Sequence, residues 1–407
     1  MRSVKICILL SLLDFVTSQS ATDVKNLLTK LFVTDGYNKN VRPLQDQMQY
    51  VPIYLDFVLN SVIEFNEQEE SLKTAGYLMA YWEDEYLTWN SSDYNGVDVL
   101  FVPQDDIWKP DLSLSNTFAI FKGMGSSYLN VQIYNDGLVQ WFPSMIFEST
   151  CAVNIKYFPF DTQKCDLKFT AWSYRKVEVE IHKGNKGVVL DDYVKNAAWE
   201  LVSSTSQDVV TEEAAVVFTL HLKRKPLFFL FNIIGPVLLL SILNIFTFVL
   251  PVESGEKAGY SITVFLALAV FLTIISDQLP NNSDTVSLMA IYLTTMVLLS
   301  TAVVAVCLIQ IRLSIRKETE QPINRFYASI VKLANCLQCR RQMIQNKIKP
   351  DKIVKEKSLD DIDDEPEVEA ISWMDVVHAM DFLLFWLAAI YTFVCTTAIA
   401  CSAVSNV

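Results

Sequence analysis

Cys151-Ala152-Val153-Asn154-Ile155-Lys156-Tyr157-Phe158-Pro159-Phe160-Asp161-Thr162-Gln163-Lys164-Cys165 is the stretch from which the rest of the chain can be read. Thirteen residues lie between the cysteines, and Phe158-Pro159-Phe160-Asp161 among them is apolar, rigid and costly to leave in water. The compartment follows from the N-terminus. Arg2 and Lys5, the apolar run Ile6 to Val16 and small residues near Ser18 and Ser20 form a secretory signal over residues 1–20. That run is too short to cross a bilayer. Cys151 and Cys165 are the only cysteines between the signal and the first long apolar stretch, so in an oxidising compartment they are expected to pair. As a bare staple, a disulfide around such a loop contributes about 3 kcal/mol. The apolar tip adds a second expectation: it rests on something greasy, such as membrane helices.

Those helices are visible downstream. Pro226–Val252, Ala258–Ser276, Val286–Ile311 and Phe382–Val407 carry no charge. Even the shortest, at about 1.5 Å per residue, approaches the hydrocarbon thickness of a bilayer. After a cleaved signal, 21–225 lies outside, 226–311 holds spans one to three, and 312–380 is cytoplasmic. Residues 381–407 form the fourth span with an extracellular C-terminus. Arg312, Arg316, Lys317 and Arg325 obey the positive-inside rule, whereas Lys223, Arg224 and Lys225 violate it. Composition agrees with a wet part and a lipid part: 51% of residues are AVILMFWYC, yet 19% are charged. A net charge of −13 excludes a nucleic-acid partner, which needs a basic footprint. Three histidines and scattered cysteines offer no metal site, no cofactor and no enzyme nucleophile with its base.

Outside the membrane the pattern is β. Val24, Leu27, Leu28 and Leu31, behind Thr22 or Asp23 as cap, predict one short opening helix. The period then becomes two. Val131, Ile133, Val139 and Trp141 flank the turn Asn135-Asp136-Gly137, and Val216, Phe218, Leu220 and Leu222 alternate in a last strand. The fold class is therefore a β-sandwich outer domain with a short N-terminal helix, a four-helix transmembrane bundle and a short, partly helical cytoplasmic segment.

The disulfide loop with its Phe-Pro-Phe-Asp core, followed by four spans, resembles the Cys-loop receptors, the pentameric ligand-gated ion channels. Trp108-Lys109-Pro110-Asp111, Trp172, Pro236 and Ser254-Gly255-Glu256-Lys257 also match, and the resemblance covers essentially the whole mature chain. It is nearest to the cation-selective nicotinic and serotonin-type branch. It implies a pentamer, homomeric or heteromeric, with a central pore, small-molecule agonist sites between adjacent outer domains, and a plasma-membrane location, postsynaptic among the options.

The second span argues for a pore without the family. Glu256, Gly259, Thr263, Leu266, Val270, Thr273 and Asp277 recur at spacings of three and four, on one helical face. A polar stripe bordered by acids is expensive against lipid and reasonable against water. Five copies stack Glu256 and Asp277 into anionic rings that attract permeating cations, and Leu266 with Val270 into apolar rings that close by dewetting. Anion-selective relatives carry proline-alanine-arginine where this chain has Gly255-Glu256-Lys257. Lys257 is turned about 100° away from Glu256.

The family's agonist box is aromatic because a ring face attracts a cation. The resemblance assigns Trp172 and Tyr77 to it, with Tyr174, Trp141 and position 115. Here that position is Ser115, and the capping segment Ser203 to Ala215 contains no aromatic. It reads as a solvated polar loop, with Asp208, Glu212 and Glu213 as alternative partners for a cation. Acetylcholine is therefore disfavoured as the agonist. For coupling, the resemblance pairs Glu67 with Arg224 and lays Phe158 and Pro159 on the loop around Pro280.

The inner segment is basic at Arg340, Arg341, Lys347, Lys349 and Lys352, then acidic from Asp360 to Glu367. A helix is expected to run from Glu369 into the last span. Cys336-Leu337-Gln338-Cys339 has too few ligands for zinc and reads as free or lipidated thiols. Asn90-Ser91-Ser92 is a glycosylation site, whereas Asn281 lies too near the membrane to be used. Two other readings stay open: an anion-selective member of the family, and a non-conducting membrane-anchored binding protein, for which the acid-bordered stripe has no use.

Overall fold

The computed structural model describes residues 19–120, 122–210, 214–277, 279, 286–316, 322–338 and 371–404. The signal segment up to residue 18, Glu212, Glu213, Pro280, Asn281, Lys317, Cys339, the basic residues 340–352 and the acidic run 360–367 lie outside the described residues. The chain divides into two compact units, 1–153 with 162–223, and 154–161 with 224–407. The division cuts through the disulfide loop.

The first unit opens with the helix Ala21–Thr29. Its cap is Ser20, not Thr22 or Asp23. The Ser20 hydroxyl accepts from the Asp23 N–H while the Asp23 carboxylate accepts from the Ser20 N–H, a reciprocal capping box that one residue earlier or later could not form. Leu27 and Leu31 are buried, as their spacing predicts.

Among the described residues eleven strands follow: β1 Val51–Asn66, β2 Ser71–Glu83, β3 Val99–Pro103, β4 Leu112–Leu114, β5 Asn130–Tyr134, β6 Leu138–Trp141, β7 Ser144–Thr150, β8 Thr162–Ala171, β9 Val179–Val189, β10 Trp199–Val210 and β11 Ala214–Arg224. They form a seven-stranded sheet, β3-β5-β6-β2-β1-β9 with β7 beside β2, and a four-stranded sheet, β10-β11-β8-β4. The predicted turn between β5 and β6 is present, with Gly137 at φ 93°, a value that favours glycine. Phe57 and Phe147 from one sheet meet Phe169 and Phe218 from the other, with ring centroids 5.4–6.2 Å apart, edge to face or tilted. This aromatic cluster is the centre of the sandwich.

The segment read as a polar loop is a strand. Residues 203–210 continue β10 along the edge of the four-stranded sheet. Asp208 there is exposed, and its Oδ1 accepts the Lys183 N–H at 2.6 Å. The Cys151–Cys165 disulfide is formed.

Among its described residues the second unit holds four helices long and apolar enough to cross a membrane: Leu227–Phe246, Lys257–Ser276, Leu288–Ser314 and Trp373–Ser402. The first ends before its apolar run does, and the fourth starts at Trp373, well ahead of Phe382. Trp373 begins this helix, ahead of the apolar span, inside a cluster with Tyr327 and Arg316, which explains why the helix extends into charged sequence. The helix Arg325–Leu337 precedes it and exposes Cys336.

Candidate ligand face and pore-facing helix

Trp108-Lys109-Pro110-Asp111 organises one candidate face. The Asp111 backbone carbonyl accepts the Trp172 N–H at 3.2 Å, and its Oδ2 accepts the Ser173 N–H at 2.6 Å. These bonds fix the backbone just after β8 and leave the Trp172 indole 62% exposed, so core packing is not its role. Trp108 is held by a second network. Its N–H donates to the Tyr37 hydroxyl at 3.0 Å, and Tyr37 donates to Asp84 Oδ2 at 2.7 Å. Burial pushes the Asp84 carboxyl and the Tyr37 hydroxyl above their ordinary ranges. The Trp108 indole N–H then donates to the Tyr174 hydroxyl at 3.1 Å, with the rings 6.0 Å apart. Trp172 and Tyr174 are thus carried on one scaffold.

The other expected contacts divide. Ser115 directs its hydroxyl to the Lys168 carbonyl, 3.3 Å away, across the edge of the four-stranded sheet. Tyr77 stands on the other sheet, half-buried, with Phe142 at 6.4 Å. Tyr81, four residues on along the same strand face, also meets Phe142 at 6.5 Å. The sequence reading missed this aromatic row, although Tyr77 and Tyr81 share strand parity. Trp141 needs correction. It is 1% exposed, and its indole N–H donates to Gln104 Oε1 at 2.9 Å, so it belongs to the core and presents no face to a ligand.

Arg224 ends β11 and is 5% exposed. Its Nε and a terminal nitrogen bind the two Asp161 carboxylate oxygens at 2.7 and 3.1 Å, a fork-on-fork geometry. Asp161 of the loop core is therefore a partner of Arg224 beyond the one that the resemblance named. The guanidinium also lies over Phe158 and Phe229, 5.0 and 5.4 Å from their centroids. Phe158 packs on Ile233, Met289 and their neighbours, and the Lys156 carbonyl accepts the Leu288 N–H at 3.0 Å. The loop tip rests on the first and third spans, which meets the expectation of a greasy support. Glu67 occupies the turn between β1 and β2.

In the second span all seven stripe residues, Glu256, Gly259, Thr263, Leu266, Val270, Thr273 and Asp277, are exposed in the isolated chain. Lys257, Ser261, Val264, Leu268 and Ile275 are buried instead. Thr263 donates its hydroxyl proton to the Gly259 carbonyl at 2.8 Å, and Thr273 to that of Val270 at 2.7 Å. With its proton committed to the helix, each hydroxyl offers only acceptor lone pairs outward. Gly255, at φ 73°, makes the left-handed turn from Val252–Ser254 into this helix and leaves Glu256 exposed at its head. Lys257 faces the opposite way. It is 0% exposed and paired with Asp381 of the fourth span, which also accepts Gln310 Nε2 of the third at 2.8 Å.

Residues 24–226 match the family model for the neurotransmitter-gated ion-channel ligand binding domain, and 233–363 match that for the neurotransmitter-gated ion-channel transmembrane region. The chain belongs to the neurotransmitter-gated ion-channel family. It is 34% identical over 315 residues to the acetylcholine receptor subunit delta of Gallus gallus, covering 72% of this chain and 61% of that protein. It is likewise 34% identical over 313 residues to the neuronal acetylcholine receptor subunit beta-4 of Rattus norvegicus, covering 74% and 62%. Over 321 residues it is 34% identical to the acetylcholine receptor subunit beta-like 1 of Drosophila melanogaster, covering 76% and 61%. The chain spans a little over three fifths of the length of these relatives. As a member of this family with four such helices, it is a multi-pass membrane protein. Asn90 is exposed at the start of the turn Ser91–Tyr94, accessible to modification.

Proposed function

We propose that this chain is one subunit of a pentameric plasma-membrane channel that a small extracellular ligand opens and that conducts cations. One observation carries the reading: every residue of the acid-ended, acceptor-rich stripe of the second span is exposed, while Lys257, Ser261, Val264, Leu268 and Ile275 on the opposite side of the helix are buried. Glu256, Gly259, Thr263, Leu266, Val270, Thr273 and Asp277 line the pore. Residues 1–20 are a removed signal, 21–225 the extracellular domain, 312–380 the cytoplasmic segment, and 381–407 the last span and outer end. Ligand contacts come from Trp172 and Tyr174 of one chain and Tyr77 of its neighbour, with Ser115 near the first two. Arg224, Asp161, Phe158 and Pro159 couple the sandwich to the helices, with Glu67 and Pro280 as further coupling positions. The family's function is conduction, so no catalytic role is assigned.

Neither residues 203–215 nor Ser115 supplies an aromatic side chain. A cation cage needs several ring faces, so further rings come from elsewhere in the assembly, homomeric or heteromeric.

Oocytes expressing the chain, alone and with other members of the family, test this under a screen of small amines and amino acids. Diluting external NaCl should move the reversal potential of the evoked current to more negative values. A positive shift would make the channel anion-selective. Surface protein with no current under any ligand, and none in the gate variant discussed below, would leave the anchor reading.

A further inference from the structure

Lys257 stands one residue beyond Glu256, the position that the proposed function makes the inner anionic ring. The two Cα atoms of such neighbours are about 3.8 Å apart, well inside the roughly 8 Å over which salt screens a charge. Five lysines in a pentamer would therefore offset five glutamates if their charge were free to act. The fold does not leave it free. Lys257 is fully buried, its ammonium forms an ion pair with Asp381 of the fourth span, and the Phe248 ring lies 5.8 Å from it. Gln310 of the third span holds the same Asp381 oxygen at 2.8 Å. Two other spans are thus spent on one side chain of the pore helix.

We infer that Asp381, on the fourth span, determines the charge of the inner pore mouth by neutralising Lys257, so that Glu256 acts there undiminished. This inference rests on the second span lining the pore. Asp381 is a positioning residue, acting through Lys257 and touching no ion itself. Gln310 Oε1 is buried with no hydrogen-bond partner among the described residues. In Asp381→Asn it offers Lys257 an acceptor, which keeps the ammonium in place with its charge uncompensated.

The test uses the full chain carrying Leu266→Thr, so that no agonist is needed. Adding Asp381→Asn should lower the unitary cation conductance roughly two- to threefold, because a less negative mouth concentrates fewer cations. The deficit should deepen at low ionic strength and shrink at high salt, a dependence that a packing defect does not produce. Lys257→Gln with Asp381→Asn should return conductance to the Leu266→Thr level. Unchanged conductance and salt dependence in Asp381→Asn at the cell surface would overturn the inference while leaving the pore reading intact. If Asp381→Asn fails to reach the surface, the double variant decides. Parental conductance means that the pair was neutral, and higher conductance means that Lys257 was acting freely, which refutes it. A Leu266→Thr parent that conducts no cations removes the pore reading and this inference with it.

Discussion

Leu266→Thr is expected to pass current without any agonist. Leu266 is 56% exposed on the acid-ended face of the second span, at its middle. Five such side chains converging on an axis form an apolar ring from which water withdraws, and ions cannot follow without it. Threonine keeps much of the volume and adds a hydroxyl, which wets the ring and lowers the barrier. Whole-cell leak at fixed voltage, compared at equal surface protein, should rise several-fold on the scale of a lost dewetting barrier. Val270, also 56% exposed and one turn further along, is the control. Leak from Val270→Thr but not from Leu266→Thr places the gate there. Silence from both removes the stripe from the pore.

Glu256→Ala with a proline inserted before it should reduce the cation-to-anion permeability ratio by about an order of magnitude, since the innermost carboxylate ring disappears. The two changes act on different features. Alanine removes the charge. Proline adds a residue after the turn that Gly255 makes at φ 73° and, with its own φ fixed near −65°, changes how that turn enters the helix. Reversal potentials in diluted NaCl measure the ratio. A wild-type channel that already passes chloride would end the cation assignment. Glu256→Gln separates charge from size: an effect as large as that of alanine assigns the selectivity to the carboxylate.

The stripe was legible because its spacing is a helix property that neighbours do not alter, and all seven of its residues are exposed. Trp141 was misplaced although the information was present. It has the same strand parity as Val139, a core residue, and that parity puts it inside. Residues 203–210 looked like a loop because an edge strand with little burial shows no apolar alternation. Asp161 as a partner of Arg224, and Asp381 as that of Lys257, could not be read from the sequence. Asp161 and Arg224 are 63 positions apart, and Lys257 and Asp381 are 124 apart. Only the folded chain brings such pairs together.

The disulfide loop crosses between the two units. Its stems, Cys151 and Cys165, belong to the sandwich, while 154–161 belongs with the helices. The chain therefore changes unit three times, and no single peptide bond separates them. A protease that cut only at the 223/224 junction would not release a free outer fragment, because the loop tip stays seated on the first and third spans. Recombination between family members meets the same obstacle. A splice at that junction transfers helices without the tip that fits them, and it parts Arg224 from its native Asp161. An exchange that respects the structure has to carry residues 154–161 along with the helices, as a second and separate graft.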